Sequence, residues 1–534
     1  MKLSLHLFLF SVLLPGILAQ GGQMLETYEE LAAALELGHH VSAIFDAQNC
    51  DADFPPAFTP RVVVPMDPWT RIQLEDGSED YITFNHDFIF YDGNFLLVTG
   101  YVDDIGRAAF TIYEISGSNG SIVETTVAEC VMNVGAFFVQ KRFTFPEDHV
   151  TTYDDLKSLL LGGTHVTFLG LAELCEGNPT TGLSKAQGGS YHLQFYVEIN
   201  PTTGEEDLIL EYYYLGITMD ASTPTFNVVR MRVYPDGFVN VTGSAFLTTT
   251  WEDEYPFPQG FQCTLDDGAR FQYRQQEDYD VYGTFAEAEA ALLEGKELQV
   301  SLDHTQCVGA PDVVTAVGVR LLEWRQFDVD SAVGHVIAFT QLYSASTGSI
   351  ALQEYAMTDD DQLWNHVTVF NPVTDEILYN TTYSCPLGTG AIVSAPARNS
   401  RPLDNYDQLL ETAMDGLHME VRINIDQCND PTGSGMNFTG VTAGAYLREM
   451  VIINPDSPDS SIFTAAYALV TNYMTGEGFA YSSVDITLNS TNVAAVVPAL
   501  WSVENGQLTN LLGEGFFLEC GLGDGLIIYS SRQD

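Results

Sequence analysis

Apolar and polar residues alternate along most of the chain with the two-residue period of β-strands, and four times the period changes to that of a helix. "YITFNHDFIFYDGNFLLVTGYV" alternates on either side of Asp92-Gly93-Asn94, which reads as a hairpin turn. "NVVRMRVYPDGFVNVTG" does the same around Pro235-Asp236-Gly237. "LILEYYYLGITM", "GHVIAFTQLYSA" and "AAYALVTNYM" read as further strands. Each helical stretch opens on a residue able to cap it: Thr27, Thr152, Thr284 or Asn405. Three positions later stands Glu30, Asp155, Glu287 or Gln408, the spacing of a reciprocal capping box. An aromatic follows each cap (Tyr28, Tyr153, Phe285, Tyr406), and a glycine stops each helix (Gly38, Gly163, Gly295, Gly416).

Beyond each glycine comes an apolar residue (Val41, Val166, Leu298, Met419) and, nine positions on, a cysteine: Cys50, Cys175, Cys307 or Cys428. Identical spacing in four places marks an internal repeat. The other cysteines, Cys130, Cys263, Cys385 and Cys520, share a second signature, a glycine five residues later (Gly135, Gly268, Gly390, Gly525) followed by a β-like run. One bond per copy is the economical pairing: Cys50–Cys130, Cys175–Cys263, Cys307–Cys385 and Cys428–Cys520. Thiolate metal sites are disfavoured, because the chain holds no C-x-x-C. The expected class is therefore α+β. Four tandem repeats (25–140, 150–274, 282–396 and 403–534) each place one N-terminal helix on its own antiparallel sheet or open barrel, closed by one disulfide.

Composition narrows the partners. Acidic residues number 72 against 20 basic ones, a net charge of −52 over 534 residues, which would repel nucleic acid and anionic membranes. Calcium, mineral surfaces and cationic matrix proteins are the compatible partners. "MKLSLHLFLFSVLLPGILAQ" has a basic start, a short apolar core, a Pro-Gly break and a small residue at Ala19, the form of a secretory signal peptide over 1–19. The expected location is extracellular. Sequons at Asn119, Asn240, Asn380, Asn437 and Asn489 fit that compartment and mark glycosylation positions.

The pattern aromatic-x-x-Leu, small or apolar helix, Gly-x-x-Val, short strand and Cys resembles the VirK-type domain across all four copies, from about residue 25 to 534. The resemblance implies a secreted tandem-repeat protein of the kind found in marine and freshwater invertebrates. It brings no catalytic residues.

Chemistry is otherwise sparse. The sequence contains no nucleophile elbow, zincin helix, phosphate loop, dinucleotide fingerprint or EF-hand loop. His40, His165 and His418, with Glu297 in the third copy, stand two residues after the helix-stopping glycines and read as exposed polar positions. Asp359-Asp360-Asp361, Asp266-Asp267 and Asp103-Asp104 read as turn acids able to contact calcium weakly; no metal-ligand set is assigned. The expectation is a non-enzymatic, secreted, acidic binding or structural protein of an extracellular matrix, such as a shell or skeleton, with no cofactor beyond weak calcium. The alternatives are a small-ligand carrier using β-barrel interiors and, third, a secreted hydrolase.

Overall fold

The helices begin where capping chemistry places them. In the computed structural model the hydroxyls of Thr27, Thr152 and Thr284 accept the N–H groups of Glu30, Asp155 and Glu287 at 3.1, 3.1 and 3.3 Å. Asn405 Oδ1 accepts Gln408 N–H at 3.0 Å. These caps open α1 (Tyr28–Glu36), α2 (Tyr153–Leu161), α3 (Phe285–Leu293) and α4 (Tyr406–Met414). The aromatic after each cap is buried. Tyr28 donates its hydroxyl to Asp80 Oδ1 (2.6 Å) and Tyr153 to Glu206 O (2.8 Å), while Tyr406 pairs with Ser460 Oγ (2.6 Å). Each of these partners lies at the start of a long strand, so the hydroxyl ties helix to sheet.

The structure describes residues 22–530 apart from 38, 53–60, 67–68, 74–79, 90–93, 117–120, 142–146, 163, 165, 172–173, 177–185, 190–193, 201, 218–222, 248–259, 275–278, 313, 322, 330–333, 345–348, 372–373, 375, 398–399, 415–418, 435–439, 448–449, 454–459, 472–478, 505–506 and 513–514. The expected signal peptide, Asn119, Asn437, His165 and His418 lie outside the described residues.

The α+β expectation is overturned. Strands dominate the described residues, and the α-helices among them are four of nine residues each. Nor does each helix rest on a sheet of its own. Among the described residues there are four antiparallel sheets of nine or ten strands, and every one is assembled from two separate stretches of sequence.

Sheet I joins Gly22–Leu25, Ala136–Lys141, Val41–Asp46 and Arg61–Pro65 to the meander from Met450–Ile453 through Val493–Glu504, with Gln507–Asn510 and Leu518–Gly521 on its outer side. Sheet II joins Glu147–His149, Ala269–Arg274, Val166–Leu171 and Ala186–Gly189 to the meander Trp69–Gln73 through Ile122–Val131, with Asp51–Ala52 at its rim. Sheet III joins Tyr279–Tyr282, Ala391–Pro396, Gln299–Asp303 and Val314–Arg320 to Gln194–Ile199 through Phe261–Thr264. Sheet IV joins Arg401–Pro402, Leu526–Ser530, Met419–Asn424 and Thr442–Leu447 to Glu323–Val329 through Ile377–Pro386. Each stretch thus gives its opening strands to one sheet and its meander to the next. The last meander returns to the first sheet, so the connectivity closes on itself as a ring.

The seams between stretches are short strand pairings. Met450 faces Val63 in sheet I, Trp69 faces Gly188 in sheet II, Phe195 faces Gly318 in sheet III and Trp324 faces Gly444 in sheet IV. Three of the four set an aromatic against a glycine. A Cβ on Gly444 would sit 2.3 Å from the Trp324 ring, so the indole occupies the space a side chain would need.

Four hydrophobic cores lie between successive sheets, each holding one helix. Burial along Val41–Asp46 is continuous because both faces are covered. Val41, Ala43 and Phe45 face the core of α1, whereas Ile44 belongs with Val63, Phe137 and Val139 to the core of α4. That double burial is why the opening strands cannot belong to an isolated bead.

The eight cysteines form four disulfides: Cys50–Cys130, Cys175–Cys263, Cys307–Cys385 and Cys428–Cys520. Each first cysteine follows an opening strand of one sheet, and its partner lies at the end of a meander in the next. The bonds therefore link I to II, II to III, III to IV and IV to I. In three of the four copies the recurrent glycine after the second cysteine packs against the bond. A Cβ would meet Cys50 Sγ at 2.7 Å from Gly135, Cys175 Sγ at 2.6 Å from Gly268 and Cys428 Sγ at 2.8 Å from Gly525. At Gly390 the nearest atom is Pro386 Cδ, at 3.0 Å.

Candidate functional site

Two groups of buried polar side chains stand out, one bridging sheets III and IV and one on sheet III alone. The first lies in the core of α3. His304, at the one-turn helix after Gln299–Asp303, is placed with Nδ1 2.8 Å from Val314 O and Nε2 2.8 Å from the Tyr383 hydroxyl. With Nδ1–H donating to the carbonyl, Nε2 accepts from Tyr383. Asn365 Nδ2 donates to that hydroxyl (2.7 Å) and reaches Gln353 Oε1 (3.4 Å), which also accepts the Tyr355 hydroxyl. All five residues are buried, and among the described residues Asn365 Oδ1 has no hydrogen-bond partner. Burial drives the His304 imidazolium out, lowering its pKa from 6.5 to about 4, against the opposing pull of Val314 O and Asp303.

Register shows how local this chemistry is. Asn365 pairs with Tyr383 two positions from the Leu363–Cys385 pair. Counted from the other second cysteines, the same positions hold Phe110 with Ala128, Val241 with Phe261 and Val496 with Leu518. His304 falls where the other copies carry Ala47, Ala172 and Ile425. One core is polar where the other three are apolar. A side-by-side reading of the strands would have revealed it, since Asn and Tyr break an otherwise apolar column.

The second group lies on the face of sheet III turned away from the core of α2. Glu211 is fully buried opposite Arg230, its ion-pair partner. Arg232 pairs with Glu198 and with Asp207 (2.8 Å), and Asn200 Nδ2 also donates to Asp207 (2.8 Å). Desolvation outweighs Arg230 at Glu211 and pushes its pKa up to about 7. Glu211 Oε2 has no partner among the described residues. Near the same sheet's seam Glu206 takes Lys157 and the Thr315 hydroxyl (2.9 Å); the Lys157 hydrogen bond lowers its pKa. At the seam of sheet II, Arg71 grips Asp80 through Nε (2.9 Å) and Nη2 (2.5 Å) and reaches Glu36 (2.6 Å). These groups fasten helix, strand and seam together.

Three of the acids singled out in the sequence hold partners within the fold. Asp103 accepts the N–H groups of Ile105 and Arg107 and the Arg107 Nε at 2.6 Å. Asp361, with φ 59°, accepts Phe285 N–H at 2.8 Å and so caps α3, and Asp360 accepts the Thr358 hydroxyl. Asp266 occupies a left-handed turn position, φ 69°. Among the described residues no three His, Cys, Asp or Glu side chains are grouped to hold a metal ion. His40 is half-buried rather than exposed, and Glu297 pairs with Arg320 at 3.5 Å. Asn380 and Asn489 are exposed, and Asn240 is half-buried. Among the described residues no helix is long and apolar enough to cross a membrane.

No family model matches the chain, and no curated protein matches it. Among solved structures, a VirK family protein from Legionella pneumophila is a weak structural neighbour: 17% identity and a TM-score of 0.18, over 21% of this chain and 97% of its own. A likeness of that size decides neither fold nor activity.

Proposed function

We propose that the protein is a secreted, N-glycosylated, acidic binding scaffold of an extracellular matrix. It meets calcium, a mineral surface or cationic matrix proteins through many weak contacts and catalyses no reaction. The observation that carries this reading is the placement of the disulfides. Every sheet is covalently tied to the next, an arrangement that suits an oxidising compartment. The result is a braced body bearing a net charge of −52. Extracellular calcium is millimolar, so weak carboxylate contacts stay occupied there, and many of them acting together give avidity. The polar core around His304 and the ion pairs around Glu211 support the same reading, because their contacts run to other parts of the fold.

The test is adsorption of the secreted chain to calcium carbonate powder, with calorimetric calcium titration of the same material. The reading predicts many weak sites, adsorption that fades as salt rises, and a mature N-terminus just after Ala19. A single saturable small-molecule site, or indifference to carbonate at low salt, would contradict it.

A further inference from the structure

The strand Ile377–Pro386 forms the outer rim of sheet IV. Near its end Val308 covers it, exchanging backbone hydrogen bonds with Ser384 at 2.8 and 3.1 Å. Upstream the rim is open. Ile377, Leu378 and Tyr379 are 56%, 53% and 47% exposed. The run Ile377–Tyr383, "ILYNTTY", carries no charge and no proline. An exposed, apolar, β-prone rim of this kind is a template for pairing with another chain. The corresponding rim strand of sheet II, Ile122–Val131, also exposes valines but sets Glu124 and Glu129 among them, and Asp51–Ala52 pairs along its end. Sheet IV lacks that charge.

In the middle of the open run stands Asn380, exposed, followed by Thr381 and Thr382. Asn380 lies opposite Thr368, and Thr382 opposite His366. His366 links the two rows, Nδ1 with Thr382 Oγ1 at 2.8 Å and Nε2 with Thr368 Oγ1 at 3.1 Å. Two positions further along the same face is Trp364, 45% exposed. The exposed Thr382 hydroxyl, the half-buried His366 imidazole and the exposed Trp364 indole thus form a floor beside Asn380 suited to a sugar, which offers both hydroxyls and apolar C–H faces, with Thr368 buried beneath.

We infer that Asn380 carries an N-linked glycan whose inner sugars lie over this rim, covering the apolar strip and preventing rim-to-rim pairing with a second copy of the chain. The reaction joins Asn380 Nδ2 to the anomeric carbon of a lipid-pyrophosphate-linked oligosaccharide. The anomeric C–O bond breaks, and the amide proton leaves with the lipid pyrophosphate. The inference rests on the secretory reading above.

The test is glycopeptide mapping of the chain secreted from a glycosylating eukaryotic host, with light scattering after size exclusion. Wild type and Thr382→Ser, which keeps the sequon, are expected to carry glycan at Asn380 and to run as one species. Asn380→Gln is expected to shift toward dimers and larger species, and adding Leu378→Lys to it should restore the single species by putting charge on the rim. An unmodified Asn380 in a chain glycosylated at Asn489 overturns this inference and leaves secretion standing. A chain that is not exported and is unmodified at both positions overturns both. Glycan at Asn380 with no change in assembly for Asn380→Gln overturns the protective role.

Discussion

Protonation of His304 gives the sharpest test of the polar core. In the unfolded chain its imidazole titrates near 6.5, and in the fold near 4. The depressed value means that the unfolded state takes up the proton first. Stability from this group is full above pH 6.5, declines as pH falls toward 4, and levels off below. The gap, at about 1.36 kcal/mol per pH unit, comes to about 3 kcal/mol. His304→Ala removes the titration and matches Ala47 in the first copy. At pH 7.5 the variant leaves the Tyr383 hydroxyl and Val314 carbonyl without their partner, a loss of about 1–3 kcal/mol. Toward pH 4 the difference should close, because wild type then bears the protonation penalty and the variant does not. Urea unfolding of both proteins with disulfides intact, at several pH values, measures this; differencing cancels the carboxylates common to both. Histidine Cε1–H resonances report the titration directly. A stability gap that stays constant from pH 7.5 to 4, or a His304 titrating near 6.5, would refute the reasoning.

Three further outcomes follow from named contacts. Glu211→Gln reverses the sign: a raised pKa means that wild-type stability is full below 4.5 and is lost as pH rises through 7. The variant should therefore gain on wild type with rising pH, by at most about 3 kcal/mol and by less to the extent that Arg230 is left uncompensated, as read by urea midpoints at pH 5 and 8. Gly135→Ala and Gly268→Ala should each lose about 1–3 kcal/mol, because the new methyl meets disulfide sulfur within 2.7 Å, whereas Gly521→Ala, whose nearest neighbour is Asp524 Cβ at 3.7 Å, should be tolerated in the same thermal melts. Gly444→Ala should displace the Trp324 indole at the seam of sheet IV and speed amide exchange in Glu323–Val329 and Thr442–Leu447, with seam I unaffected.

The local grammar was legible in the sequence. Thr27, Thr152, Thr284 and Asn405 cap helices because a side-chain oxygen three residues before a backbone N–H can do little else at a helix start. The glycines five after Cys130, Cys263 and Cys520 could be seen as a pattern, but their cause, a disulfide sulfur against the backbone, needed coordinates. The α+β expectation fails because the four helices, though strongly signalled by their caps, are only nine residues each. Sheet partnership was out of reach for a different reason. Alternation shows which face of a strand is buried, yet Arg61–Val63 can pair with Met450–Ile452 only through contacts hundreds of residues apart, and no local signal encodes them. The clue was Val41–Asp46, too apolar on both faces for a strand at the margin of a small bead. His304, Tyr383 and Asn365 carry no ligand spacing in the sequence; only a column-by-column comparison of the four copies singles them out.

Ring closure rests on the seam in sheet I between the first and last stretches, which the native disulfides do not themselves span. Val63 and Met450 are Cα partners, both buried in the core of α4. Directly opposed antiparallel residues lie about 4.5–5.5 Å apart, within disulfide reach. Val63→Cys with Met450→Cys, oxidised and digested without reduction, should yield a cross-linked peptide joining the first and last stretches within a monomer. Two free thiols, or a link found only between molecules, would show the ends apart and the ring open.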